Sequence, residues 1–164
     1  MEDLENIKLK RAPARLLEAH VDFESAKALS KSGIDSRSLY HSQQCAEKAL
    51  KACLSKTNVG EIKSHTVVQY FQSEIMPLLT GELKEKFKDL HNLIWVEERW
   101  MDTRYEEFRA GKIKVPSMQF SADDAETGIK TAEKALLDCT NVVEFLFKKE
   151  IPKNTEGLKT LLNA

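Results

Sequence analysis

SADDAETGIKTAEKALLDCTNVVEFLFKKE, residues 121–150, sets Ala125, Ile129, Ala132, Leu136, Cys139, Val143, Leu146 and Phe147 on one helical face. Ser121-Ala-Asp-Asp124 reads as a capping box at its start, and Pro152 closes it. Such a helix makes about seven turns, or roughly 45 Å at 1.5 Å per residue. It is the longest periodic segment of the chain, and the rest organises around it.

Working back from it, residues 105–120 read as irregular, with Gly111 and Pro116. The only alternation that suggests a strand, Ile113/Val115, is too short to build a sheet. A helix capped by Thr80 carries Leu83, Phe87, Leu90, Ile94 and Met101 as its buried stripe. A shorter helix runs from Ser64 or His65 to near Pro77, after a loop at 58–64. Residues 36–57 form a helix whose apolar side is Leu39, Ala46, Ala49, Leu50, Cys53 and Leu54, with Asp35 or Ser36 as cap. Before Gly33, a helix opening near Pro13 has two apolar stripes, Leu16/Ala19/Phe23/Ala26 and Leu17/Val21/Ala28. Two stripes imply two packing partners, the core and a second subunit.

Residues 1–11 are charged and aperiodic and read as a flexible arm. Residues 151–164 read as a tail with a short amphipathic helix (Leu158, Leu161, Leu162), leaving 12–150 as the domain. The expected fold is all-α, an up-and-down bundle of four main helices plus one short helix.

Composition narrows the function classes. Apolar residues make up 41% and charged residues 31% of the 164, which is globular rather than disordered. A chain this long buries roughly 70% of its unfolded surface, so it needs no metal or disulfide to hold it. Twenty-five basic against 26 acidic residues leave a net charge of −1, unlike a polybasic nucleic-acid binder. The start, MEDLENIKLKR, has no apolar signal core, and no stretch approaches a membrane span. Three scattered cysteines (Cys45, Cys53, Cys139) predict reduced thiols in the cytoplasm.

Several chemistries lack their residues. The four histidines are preceded three positions earlier by Leu17, Ser38, Ile62 and Lys88, so no Glu-x-x-His pair exists for a di-iron centre. There is no CxxC pair for structural zinc, no glycine-rich phosphate loop, no GxSxG and no HExxH. No metal and no cofactor is expected.

Two segments remain. On the helix over 36–57, Tyr40, Gln44, Glu47 and Lys51 form a polar stripe with Lys48 beside it. It reads either as a solvated surface with an i,i+4 Glu47–Lys51 pair, or as an anion or nucleotide groove in which lysine supplies charge and tyrosine a stacking plane. The segment 99–114 gathers Arg99, Arg104, Arg109, Lys112 and Lys114 with Trp100 and Tyr105, but Asp102, Glu106 and Glu107 interleave as partners for ordinary ion pairs. Trp95 and Trp100 read as packing residues. His65 reads as a helix-start residue bonding the backbone, His91 shares a sector with Trp95, Glu98 and Asp102, and His20 lies between the two stripes near Glu24 and Lys27.

Gln44-Cys-Ala-Glu47-Lys48-Ala-Leu-Lys51-Ala is similar to the QxAEKxLKA stretch of prokaryotic HEPN domains, of the nucleotidyltransferase-associated type. Ser64-His65 resembles that family's downstream helix start, and Arg104-Tyr105 its RYP element, although Glu106 stands where proline is usual. The resemblance spans about 12–150 and implies a homodimeric helical bundle, often accompanied by a small nucleotidyltransferase protein, for which nucleotide binding has been proposed. Other branches are metal-independent ribonucleases, toxins among them, with an Arg followed four to six residues later by His. Here that spacing occurs only as Arg15…His20, in the first rather than a later helix, with side chains roughly 140° apart. Arg37 and His41 are too close in sequence for the rule.

Three functions follow. The first is a non-catalytic, homodimeric module that binds a nucleotide or a nucleotidyltransferase partner in a toxin–antitoxin-like or nucleotide-handling system. Its site would hold Lys48, Lys51, Arg104 and Tyr105, with Gln44 and Glu47 as orienting groups. The second is a metal-independent ribonuclease acting on RNA, with His20 or His41 as acid/base beside an Arg. The third is a plain interaction scaffold.

Overall fold

The computed structural model describes residues 3–58 and 62–164. Asp3 caps the first helix, its carboxylate accepting from the Glu5 amide at 3.4 Å, and α1 runs over Leu4–Lys31. Residues 4–11, expected as an aperiodic arm, are therefore its first two turns. Ion pairs replace the missing apolar period: Glu5 meets Lys8 at 3.3 Å and Lys56 at 2.8 Å, and Lys8 reaches Asn58 at 2.8 Å. Residues 1–2 of the expected arm and 59–61 of the loop at 58–64 lie outside the described residues. Pro13 accordingly sits buried inside α1 and not in its opening turn.

The stripe Leu16/Ala19/Phe23/Ala26 is buried as expected, whereas Val21 of the second stripe is 49% exposed. Gly33, at φ +70°, ends α1, and the Ile34 amide donates back to the Leu29 carbonyl at 2.9 Å. That closure needs a left-handed residue, which glycine adopts without cost. α2 follows as Asp35–Leu54, without a side-chain cap: Asp35 lies in the first turn, where its charge suits the helix dipole. Thirteen of its twenty residues are buried, because α1 and the long helix over Ala122–Phe147, α7, both pack on it.

α7 spans Ala122–Phe147 and opens on the expected capping box, the Asp124 amide donating to Ser121 Oγ at 3.2 Å and the Ser121 amide to Asp124 Oδ2 at 2.8 Å. It ends at Lys148, in the left-handed conformation at φ +51°, before Pro152 is reached. Gly128 permits the close approach to α2: a Cβ there would lie 2.7 Å from Leu39 Cδ1 and 3.2 Å from Ser42 Cβ.

Between them the chain is more broken than its periodicity suggests. A helical segment starts at α3 (Val68–Tyr70), widens into a π turn over Phe71–Ile75 and tightens into a 3₁₀ turn over Met76–Leu78. The helix expected from Thr80 is two, α4 (Gly81–Glu85) and α5 (His91–Glu97), and Thr80 makes no side-chain cap bond. Asp89 causes the break by accepting the His91 amide at 2.9 Å, a local bond that competes with helix continuation. The break shifts the phase of the stripe. Phe87 and Leu90 are buried, but Leu93 and Val96 then take the inner positions, and Ile94 and Met101 are exposed.

The segment 105–120 contains a two-stranded antiparallel hairpin, β1 (Glu107–Arg109) with β2 (Lys112–Lys114), then α6 (Pro116–Gln119). Ala110 and Gly111 both have positive φ, the requirement of a two-residue primed turn that matches strand twist. Finally α8, Thr155–Asn163, is capped by Asn154 and packs on α1. Ile151 and Leu158 are fully buried in the same core as Leu16 and Val143, so the segment beyond 150 contributes to the bundle and is more than a tail. The fold is all-α, with the hairpin as an appendage, and no described helix is long and apolar enough to cross a membrane. Cys45, Cys53 and Cys139 are free thiols buried between α2 and α7, and burial pushes the Cys45 thiol far above its ordinary value.

Candidate ligand-binding face

α2 presents Tyr40, Gln44, Glu47 and Lys51 along one side with His41 and Lys48 next to them, and three other segments converge on this strip. Asp22 comes from α1, His65 from the loop before α3, and Trp100 to Arg104 from the turns after α5.

At one end lies a buried carboxylate with two partners. Asp22, only 7% exposed, accepts from His41 Nδ1 at 2.8 Å and from Lys48 Nζ at 2.5 Å. A carboxylate accepts, so the His41 proton sits on Nδ1, and in the neutral ring Nε2 carries the lone pair. Alongside, Arg104 donates to the Tyr40 hydroxyl at 3.3 Å, and its guanidinium lies 5.0 Å from the Tyr40 ring centroid. Tyr40 in turn meets the His41 ring edge-on at 5.0 Å. Arg37, one turn earlier on α2, donates to the Thr103 carbonyl at 3.2 Å, and fully buried Thr103 donates its hydroxyl to the Arg99 carbonyl. Arg37 thereby fixes the turn that presents Arg104.

Further along, Glu47 is the centre of a brace. Buried at 8% exposure, it accepts from Lys51 Nζ at 2.7 Å, Gln43 Nε2 at 2.8 Å and His65 Nδ1 at 3.0 Å. Burial alone would push its carboxyl up, but the bonds from Lys51, His65 and Gln43 together hold it below the ordinary carboxylate value. Gln44 donates to Gln43 Oε1 at 2.7 Å, and Lys51 holds α1 through Arg15, which donates to its carbonyl at 2.8 Å. Close to Glu47, Glu97 accepts from the Val67 amide and, at 2.8 Å, from the Val68 amide, so it caps the α3 segment. Burial pushes the Glu97 carboxyl up, and the Glu47 charge adds to this. The two line a cavity of about 10 Å³ together with Gln43 and Val68, about the room of one water.

The six expected site residues therefore divide. Gln44, Lys48 and Arg104 are partly exposed and Tyr105 is 54% exposed, whereas Glu47 and Lys51 are engaged with each other in the brace. Asp22, Arg37 and Trp100 belong to the same face although the sequence alone does not single them out for it. Asp22 carries a signal: it falls on the buried side of α1, between Ala19 and Ala26, where an acid needs a partner. His65, expected to bond backbone, pairs instead with Glu47 and stacks on Trp100. Trp95 is covered by Arg99 at 4.8 Å, and His91 is exposed at the start of α5.

Two clefts lie elsewhere. One of about 950 Å³ runs between the α4–α5 region and α7, lined by Lys86, Phe87, Leu93, Lys134 and Asp138. Buried Asp138 accepts there from Lys134 at 2.6 Å and Lys86 at 3.3 Å, so its charge is already matched. The other, about 430 Å³, is lined by His20, Phe23, Glu24 and Leu136. Burial lowers the His20 imidazole below its ordinary value against the opposing pull of Glu24. No three His, Cys, Asp or Glu side chains among the described residues are grouped as a metal ion requires.

The crystal structure of TT1696 from Thermus thermophilus superposes on the chain with a TM-score of 0.60 at 21% identity, covering 81% of this chain and 98% of that one. The fold is thus shared. A protein of Methanocaldococcus jannaschii named "Putative toxin MJ1304" is 34% identical over 163 residues, 98% of this chain and the whole of that protein. The family model described as HEPN domain matches residues 12–144, which include α2 with its polar strip and the turn carrying Arg104. The chain belongs to the HEPN domain family.

Proposed function

We propose that this HEPN chain is a homodimeric, non-catalytic binding module that takes a nucleotide, or the nucleotide-handling surface of a small nucleotidyltransferase partner, on the face of α2. The observation that carries the reading is the Tyr40–Arg104 contact, joined through His41 and Asp22 to Lys48, which puts two cations and an aromatic along one strip of partly exposed ground. Arg104 and Lys48 would hold phosphate, Tyr105 would cover a base and Gln44 would orient the ligand. Glu47 and Lys51 would act from behind, by keeping α2 and His65 in register. The toxin name of the Methanocaldococcus relative supports a toxin–antitoxin-like setting, and the three free thiols suit the cytoplasm. Calorimetric titration with ATP, GTP and a purified nucleotidyltransferase tests it. Arg104→Ala should weaken binding at least tenfold with the helical content intact, and unchanged binding would sink the assignment.

One observation favours a second reading, a metal-independent ribonuclease. Asp22 would fix His41 as an Nδ1–H tautomer with Nε2 as the basic nitrogen, the arrangement of an oriented general base, and Arg104 contacts Tyr40, whose ring meets that of His41, so a cation stands one side chain away from it. Incubation with mixed RNA in EDTA separates the two. Cleavage that His41→Ala abolishes and His20→Ala spares would establish the ribonuclease, and no cleavage by wild type leaves the binding module.

A further inference from the structure

The cleft of about 950 Å³ beside α7 opens where the chain breaks between α4 and α5. The junction itself, Glu85 to Asp89, lines one side with Asn92 and Leu93 of α5, and α7 residues between Thr127 and Asp138 line the other. Its apolar lining is Phe87, Leu93 and Ala135, all buried, with Leu137 50% exposed. Beside these, two ammonium groups are held on one carboxylate. Lys134 Nζ donates to Asp138 Oδ2 at 2.6 Å and to the Lys86 carbonyl at 2.9 Å, and Lys86 Nζ donates to Asp138 Oδ1 at 3.3 Å. Asp138 is 2% exposed, while the Lys134 and Lys86 side chains remain 61% and 43% exposed. One lysine is enough to match a buried acid, so the second leaves a positive charge over. An ammonium has three donors, which leaves Lys134 one and Lys86 two, on groups whose positions are already fixed.

We propose that this cleft binds a monoanionic amphiphile, an acyl or aryl carboxylate whose head takes the free donors of Lys86 and Lys134 and whose body lies on Phe87, Leu93 and Leu137. The charge pattern selects the head. Lys88 is matched by Glu85 at 3.5 Å and Lys130 by Glu126 at 2.8 Å, and Asp89 is engaged with the His91 amide at 2.9 Å. The Lys86–Asp138–Lys134 cluster is left as the positive end of the cleft. A single surplus charge suits one carboxylate, whereas a polyphosphate or RNA needs several cations and would meet Glu85 and Asp89 on the same wall. The volume selects the body. It lies at the upper end of the roughly 300–1,000 Å³ of sites for organic ligands, far more room than a lone inorganic anion fills, and the apolar lining rewards a hydrophobic occupant. None of the lining residues belongs to the α2 strip, so the site stands independently of the nucleotide reading.

Titration of the isotope-labelled full chain with sodium octanoate below its micellar concentration, followed by amide chemical shifts, tests this. Acetate, which lacks the body, and octanol, which lacks the charge, are the comparisons. Octanoate should bind about tenfold more tightly than either, because only it combines apolar burial with a charge-assisted hydrogen bond. The shifts should centre on Phe87, Leu93, Lys134 and Leu137. Lys86→Gln and Lys134→Gln each leave Asp138 one lysine, so circular dichroism should be unchanged, and each should weaken octanoate about fivefold toward the octanol value. Lys153→Gln, in the smaller cleft that shares Leu137, should change nothing. Octanol binding as tightly as octanoate would overturn the carboxylate head. The absence of saturable shifts with octanoate, or weakening by Lys153→Gln in place of the Lys86 and Lys134 variants, would overturn the site.

Discussion

His65 lies flat on Trp100, ring centroids 4.2 Å apart and planes 21° from parallel, while its Nδ1 holds Glu47. One imidazole thus joins the loop before α3, the turn after α5 and the middle of α2. Trp100→Ala should cost about 2–4 kcal/mol, more than a surface truncation, because it removes the stack together with buried area. Thermal or urea unfolding would show it, and a loss under about 0.5 kcal/mol, the range of an ordinary surface change, would mean the stack is idle.

Glu47 and Glu97 should pull the pH dependence of stability in opposite senses. The Glu47 carboxyl is lowered in the fold, so its contribution is present above the usual carboxylate value of about 4.5 and is lost as pH falls through the lower folded value. Glu97 is raised, so its contribution is present below 4.5 and is lost as pH rises through the higher folded value. Glu47→Gln should flatten the acid limb of a urea-midpoint profile. Glu97→Gln, which keeps an acceptor for the Val67 and Val68 amides, should instead raise stability near neutrality relative to its value at about pH 4.

His20 adds a second limb. Its imidazole is lowered by burial, so the unfolded chain takes up the proton more readily, and stability falls as pH drops below about 6.5 toward the folded value. His20→Gln should remove that slope, leaving the carboxylate limb below it. An unchanged slope just below about pH 6.5 would show that another group supplies it.

Asp22→Ala would strand His41 and Lys48 at once. The expected cost is about 2–3 kcal/mol, as for a lost charge-assisted pair in a largely buried setting. Nitrogen chemical shifts of His41 provide the sharper check: the Nδ1–H tautomer should dominate in wild type and lose its preference in the variant.

Gly128→Val would force a branched side chain into the contact of α7 with Leu39 and Ser42. Overpacking of this kind costs about 1–3 kcal/mol, and Gly128→Ala should cost less because Leu39 Cδ1 is the movable end of its side chain. Denaturant midpoints of the two variants would rank them.

The long helices are legible because their burial is one-sided and periodic: the α7 capping box and the Leu16 to Ala26 stripe can be read from the letters. Residues 4–11 cannot, because α1 continues there on ion pairs of Glu5 with Lys8 and Lys56, and the latter is a contact 51 residues away. The split into α4 and α5 is hidden because Leu83, Phe87 and Leu90 keep helical spacing across the break that the Asp89 side chain introduces. In the candidate face, Lys48 and Arg104 stand out by type. Asp22, which organises two of the neighbours, is submerged in an apolar stripe, and the brace around Glu47 depends on His65 arriving from a separate loop.

The burial of Leu158 against α1 also bears on how the chain matures during synthesis. α1 finds α2 within its first few dozen residues, but the part of its apolar side that α2 and α7 leave uncovered stays open until α8 has been translated and has left the ribosome tunnel. A nascent chain paused before Ile151 would carry a nearly complete bundle with a sticky seam, the kind of intermediate that chaperones recognise. Stop codons or pauses in that interval should therefore send this protein to aggregation or degradation more readily than its many helices would suggest.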